Sequence, residues 1–200
     1  MEPSVRPARR EDGAVVAPLL YASAGGMYDR FVGGRRRALS LLRRAFGSEG
    51  TNASLEVITV AELDGGVVGA ISIFPVEETT PRASAFIRLA LRSIPPWRWP
   101  GALRFWWAGA RAAPSPPRSA LYVDALATDP AARRRGSARA LLDHAEAEAR
   151  RQGLPALALD TSLDNRGARA LYLGAGFEEV AYRAAARGMP GFVALVKELD

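Results

Sequence analysis

The 200-residue sequence predicts a mixed α/β fold, a single sheet flanked by helices with one βαβ crossover in its second half. Two observations predict it. The segments Leu55–Leu63 and Val67–Phe74 are rich in Val, Ile and Thr and flank Asp64-Gly65-Gly66, which is the pattern of an antiparallel hairpin. From Leu121 onward the pattern becomes strand, helix, strand, helix, strand, the order of a crossover packed on a sheet. A mass of 21.4 kDa suits one full-sized core, so residues 1–200 are read as a single domain.

The elements follow in order. Ser4–Pro7 reads as a short extended piece. Asp12–Ala24 has helical spacing (Val15, Val16, Leu19, Leu20), acidic residues at its entrance and Gly25-Gly26 as a break. Arg35–Phe46 forms a second helix, with Leu39, Leu42 and Phe46 on one face; Gly33-Gly34 leaves the stretch before it unassigned. After the hairpin, residues 77–119 differ in character. They are dense in proline (Pro81, Pro95, Pro96, Pro100, Pro114, Pro116, Pro117) and contain all four tryptophans. Two short helices, Ala83–Ile94 and Gly101–Ala112, are expected there, as an insertion too short for a core of its own. Leu121–Thr128 is a strand, Ser137–Gln152 an amphipathic helix closed by Gly153, and Ala156–Thr161 a buried strand. Asn165–Ala175 is a short helix, and Phe177–Arg183 and Phe192–Leu199 complete the sheet.

Composition narrows the function classes. With 48% hydrophobic and 24% charged residues, the chain reads as an ordinary globular protein. The absence of cysteine excludes a disulfide framework, a thiolate nucleophile and a Cys-containing zinc site. With one histidine besides, no metal site is expected; His144 falls off the apolar stripe of its helix and is read as exposed. The first residues, MEPSVRPARRED, lack the apolar run of a signal peptide, and no stretch approaches the roughly 20 apolar residues of a membrane span. The expected location is cytoplasmic, without a membrane partner. The net charge of +6 is carried almost wholly by arginines spread along the chain, which suits a solvated surface better than a nucleic-acid footprint.

The most informative stretch runs from Ala127 through Arg133-Arg134-Arg135-Gly136-Ser137-Ala138 to Leu142. A strand enters a basic, Gly-containing turn that opens a long helix. The N–H groups of Arg134 to Ala138 would project unsatisfied from the positive end of the helix dipole, and Gly136 would let an anion approach closely. Such a turn is a pyrophosphate site or a plain helix start with exposed arginines.

These residues resemble the GNAT superfamily of N-acetyltransferases, whose signature (Gln/Arg)-x-x-Gly-x-(Gly/Ala) fits Arg133 to Ala138. A second signature of that superfamily follows in order: Asn165-x-x-Ala168-x-x-Leu171-Tyr172-x-x-x-Gly176-Phe177. The resemblance extends over most of the chain and fails across residues 77–119. It implies a GNAT-type, mostly antiparallel sheet whose fourth and fifth strands splay after a bulge near Leu126-Ala127. It also implies acetyl-CoA as cosubstrate. Its pantetheine arm would lie along Leu126, Ala127 and Thr128, its pyrophosphate on Arg133 to Ala138, with further contacts from Asn165, Ala168 and Tyr172. Asn165 can equally cap the helix that follows.

Acetylating an amine requires a neutral nucleophile and a proton for the departing thiolate. The resemblance implies Tyr172 as the proton donor; the competing reading is a core tyrosine. For the base, strand alternation puts Tyr122, Asp124 and Leu126 on one side of the sheet, and Asp124 is the only carboxylate in that apolar strand. It is the candidate base or anchor for a cationic amine, against an Asp paired to one of the many arginines. Glu77 and Glu78 are weaker candidates. The segment 77–119 reads as a lid over the acceptor, a homodimer surface or an amphipathic lipid contact, against ordinary packing helices.

The expected function is direct transfer from acetyl-CoA to an amine of a small molecule or peptide in a ternary complex. The rivals are a non-catalytic acyl-CoA-binding regulatory module and a nucleic-acid-binding protein.

Overall fold

The computed structural model describes residues 2–112, 114–186 and 188–199. At its centre are seven strands: β1 (Ser4–Pro7), β2 (Ile58–Leu63), β3 (Gly66–Pro75), β4 (Ala120–Thr128), β5 (Ala156–Ser162), β6 (Glu178–Arg183) and β7 (Phe192–Glu198). They form one sheet in the order β1-β2-β3-β4-β5-β7-β6. Only β4 and β5 pair in parallel. Asp64 and Gly65 turn β2 into β3, both at positive φ (53° and 80°), as a tight turn between twisted strands requires.

Helices cover both faces. On one lie α1 (Gly13–Ser23), α2 (Met27–Val32), α3 (Arg35–Phe46), α4 (Thr79–Leu91) and α5 (Trp99–Ala110). Their core side chains, among them Leu20, Phe31, Leu42, Phe86 and Ala102, pack with Ile58, Val60 and Ala70 of the sheet. On the other face, α6 (Ser137–Arg151) and α7 (Arg166–Gly174) bury Leu141, Leu142 and Tyr172 against Ile71, Leu121, Leu159 and Leu195. Among the described residues no helix is long and apolar enough to cross a membrane.

Most predicted boundaries lie within two residues of the observed ones, and the exceptions have local causes. The unassigned stretch before Arg35 is α2, closed at each end by a glycine in the left-handed region, Gly26 and Gly33. Leu55–Val57 is a 3-10 turn, so β2 begins only at Ile58. Helices α4 and α5 both start earlier than expected. Each of Pro81 and Pro100 stands in the first turn of its helix, where a missing N–H costs nothing.

Two irregularities of β4 position the site. The β3–β4 ladder pairs Ser72 with Ala125 and Ile73 with Val123, leaving Asp124 as the extra residue of a bulge. The bulge is therefore at Asp124, not near Leu126-Ala127 as expected. It also overturns the predicted alternation. Leu126 joins Leu121 and Val123 on the α6 face, while Tyr122, Ala125 and Ala127 lie on the other. Second, the β4–β5 ladder runs only from Ala120–Ala156 to Val123–Leu159. Beyond that point β4 continues beside β3 and β5 beside β7, so the two strands splay and a cleft opens between them.

Candidate active site

The turn between β4 and α6 forms as its sequence dictates. Arg134 and Gly136 both take positive φ (61° and 85°), and Gly136 caps α6 without a side-chain hydrogen bond. The amides of Arg134 to Ala138 meet no acceptor among the described residues. Among the described residues a Cβ on Gly136 would touch only Pro3, at 3.9 Å. Ser137 Oγ is buried without a hydrogen-bond partner among the described residues. Arg133, Arg134 and Arg135 are exposed around this ring of donors, and Arg135 pairs with Asp64 at 2.9 Å. Unsatisfied amides at the positive end of a fifteen-residue helix are an arrangement that suits an anion.

At the other end of the cleft is a cavity of about 640 Å³, bounded by the sheet, α2, α4 and α5. Asp124 and Asp160 stand on its sheet side, one from each splayed strand. Asp124 is exposed to the cavity's solvent, with protein crowding the space around it. That crowding, by desolvating the carboxyl, raises its pKa to about 7; the amide of Asn52, donating to Oδ2 at 2.9 Å, pulls the other way, and the charge of Asp160 adds to the rise. Burial also raises Asp160, opposed by the hydroxyl of Tyr122, which donates to it. Burial and the Asp160 carboxylate lift Tyr122 well above the usual phenol range.

Tyr172 projects from α7 into the core on the α6 face, its ring centroid 5.8 Å from that of Phe177. Burial, and then the charge of Asp160, push its hydroxyl up to about 12. It does not line the cavity; it lies behind the cleft, near enough for Asp160 and Tyr122 to share its field. Asn165 caps α7, accepting from the Ala168 amide at 3.2 Å, and reaches the cavity wall as well.

The fold around this cleft is shared with known proteins. The model of the acetyltransferase (GNAT) family matches residues 34–177, more than half of the chain. The chain belongs to the GNAT acetyltransferase family. It is therefore an acyltransferase. Solved structures agree at the level of the fold. An N-acetyltransferase from Staphylococcus aureus Mu50 superposes with a TM-score of 0.74 at 20% identity, over 96% of this chain and 99% of that one. A structure described as an acetyltransferase gives 0.68 at 22%, over 98% and 100%. A chain of the NatC complex bound to Gag peptide and CoA gives 0.58 at 17%, over 100% of both. No curated protein sequence matches the chain.

In this GNAT fold, most of the residues predicted for the site are brought to one cleft. Leu126, Ala127 and Thr128 form the free edge of β4 beyond Val123 and lead to the donor ring. Ala168, a residue of α7, packs against the same core cluster as Tyr172. Glu77 and Glu78 stand apart from the cavity, and Glu78 is paired with Arg82 at 2.6 Å. His144 is not exposed as expected: it is half-buried, its Nε2 3.3 Å from Thr59 Oγ1, and burial lowers its pKa. Sequence reasoning missed Asp160 and Asn52. Asp160 carries the same signal as Asp124, a lone carboxylate in an apolar strand; Asn52 lies in a loop and carries none.

Proposed function

We propose that the chain acetylates a primary amine of a small molecule or peptide, with acetyl-CoA as donor and direct transfer in a ternary complex. The observation that carries this reading is the free edge of β4. It runs from Asp124 at the cavity to Thr128 beside the α6 donor ring, along a cleft that β5 has left unpaired. The amides of Arg134 to Ala138, with the three arginines, would hold the pyrophosphate of CoA. Pantetheine would pair with the β4 edge near Leu126 and Ala127, and Asn165 would contact it from α7. The NatC complex, one chain of which shares this fold, is bound to a Gag peptide and CoA together, which supports a ternary complex. The lack of cysteine fits direct transfer without a thiol intermediate.

The residues divide the proton work between them. Asp124, half ionised near pH 7, accepts a proton from the incoming ammonium group, whose neutral nitrogen then attacks the thioester carbon. Tyr172 keeps its proton at neutral pH, so it is in the form that can protonate the sulfur as the C–S bond breaks. Tyr122, itself on the cavity wall, donates its hydroxyl to Asp160 and holds that carboxylate in place.

Calorimetric titration of acetyl-CoA and free CoA tests the donor site. Wild type should bind both, and the double variant Arg133→Glu/Arg134→Glu should bind them about 10-fold more weakly, a loss of about 1.4 kcal/mol. Glutamate at Gly136 is a poor probe, because its φ of 85° would strain any side chain. Failure of the folded wild type to bind either ligand would overturn this reading.

A further inference from the structure

The acceptor cavity has a lining that its surroundings do not predict. Lys and Arg number 27 in the sequence, yet among the described residues no arginine, lysine or histidine lines this cavity. Its charged groups are all carboxylates: Asp124 and Asp160 on the sheet, with Asp164 beside Asn165. The far wall is apolar and aromatic, built by Tyr28 and Phe31 of α2, Phe86 and Ile87 of α4, and Phe105 and Trp106 of α5. Tyr28 and Phe86 pack with ring centroids 5.9 Å apart and planes inclined at 52°. Only these members of the aromatic-rich segment turn inward. Trp97 is 80% exposed, and Trp99 and Trp107 also face solvent.

Resting on the function proposed above, we infer that the acceptor is a primary amine on an aromatic or bulky apolar body, with no carboxylate next to the amine. The reasoning is one of charge and desolvation. An ammonium group entering the cavity meets carboxylates at the sheet, and its apolar body replaces water against the Phe86, Phe105 and Trp106 wall. An α-amino acid would bring its carboxylate to the same end, beside Asp124 and Asp160, with no cation among the described residues to receive it. A short alkylamine would satisfy the aspartates and leave the aromatic wall wet. In the reaction the amide C–N bond forms as the thioester C–S bond breaks. Two protons leave the ammonium nitrogen: Asp124 takes the first and passes it to solvent, and the second balances the proton that ends on the CoA sulfur, giving the N-acetyl amine, free CoA and one released proton.

The test is a matched series at saturating acetyl-CoA, read as the rate of CoA release: phenethylamine, phenylalaninamide, phenylalanine and ethylamine. The kcat/KM of phenethylamine and of phenylalaninamide is expected to exceed that of phenylalanine and of ethylamine by about 100-fold. In Trp106→Ala the KM for phenethylamine should rise about 10-fold, narrowing its advantage over ethylamine. Phenylalanine or ethylamine acetylated as well as phenethylamine overturns the inference, as does acetyl-CoA binding with no turnover of either aromatic amine. Both of those results leave the donor site standing. Absence of acetyl-CoA binding overturns the inference together with the function it rests on.

Discussion

The amide nitrogen of Asn52 donates to Asp124 Oδ2 at 2.9 Å, and the backbone carbonyl of Asn52 in turn accepts from Ser72 Oγ at 2.6 Å. A loop residue and a β3 residue thus hold the carboxylate that the β4 bulge turns toward the cavity. The arrangement controls when Asp124 is charged. Its carboxyl is raised to about 7, so the base form dominates only above that pH. The kcat/KM of wild type should rise with pH through about 7 and then level. Asn52→Ala removes the hydrogen bond that favours the anion, which moves the rise to higher pH. Asp124→Asn should cost about 100-fold in kcat/KM and abolish the rise. An unchanged pH profile in Asp124→Asn assigns the base elsewhere.

The same carboxyl sets a stability term of opposite sense. An acid raised from 3.8 to about 7 on folding binds its proton more tightly in the folded state. Its contribution to stability is therefore largest below pH 4, falls as pH rises between those values, and is gone above about 7. Asp124→Asn should melt higher than wild type at pH 8 and at nearly the same temperature at pH 4. A variant that melts lower at pH 8 shows that Asp124 holds the fold together and is not a strained functional group.

Two tyrosines lie within the field of Asp160, and they separate by substitution. Tyr172→Phe should lose about 100-fold in kcat while acetyl-CoA binding, read by calorimetry, is unchanged. Tyr122→Phe removes the hydroxyl that donates to Asp160, so its effect should appear mainly in the KM of the amine. If kcat falls in Tyr122→Phe and not in Tyr172→Phe, the proton donor is the β4 tyrosine.

How far the sequence reveals this site depends on how local each determinant is. Helix α3 was readable from Arg35 to Phe46 because glycines stand at both ends. The donor ring was readable because strand, turn and helix adjoin in one stretch. Helix α2 was not, since six residues between glycine pairs show less than two turns of periodicity. The bulge was misplaced for a different reason. A strict alternation has no mark for the one residue that interrupts it, and Ser72, which opposes the break, lies some fifty residues earlier. The tryptophans divide between cavity and solvent by the orientation of α5 on the core, a tertiary fact that no spacing within residues 77–119 could supply.

Stability of the other edge of the sheet rests on Arg6. From β1 it reaches both Asp12 oxygens, at 2.7 and 3.0 Å, and Glu62 of β2 at 2.7 Å. The Arg6 guanidinium, ahead of the opposing effect of burial, holds Asp12 below its ordinary value. That stabilisation is complete above pH 3.8 and is lost as pH falls through the depressed value. Arg6→Ala leaves Asp12 buried without its cation and should cost about 3 kcal/mol at pH 7. Urea melts should show the gap from wild type closing toward pH 2. A gap independent of pH attributes the loss to packing of the arginine stem.

Ser137 combines two features that separate under one substitution. It is 2% exposed, and its hydroxyl finds no partner among the described residues, although it sits beside the free amides at the start of α6. A buried hydroxyl left unpaired costs about 1 kcal/mol in the free protein. Replacement by alanine removes that cost and keeps the helix start, so Ser137→Ala should be more stable than wild type by about that amount without ligand. If the hydroxyl is held in reserve for a phosphate oxygen, the same variant should bind CoA about 5-fold more weakly, the loss of one hydrogen bond to an anion. Higher stability with unchanged CoA affinity would mean that the pyrophosphate is held by backbone amides and arginines alone. Lower stability would mean that a water already satisfies Ser137 Oγ in the free protein.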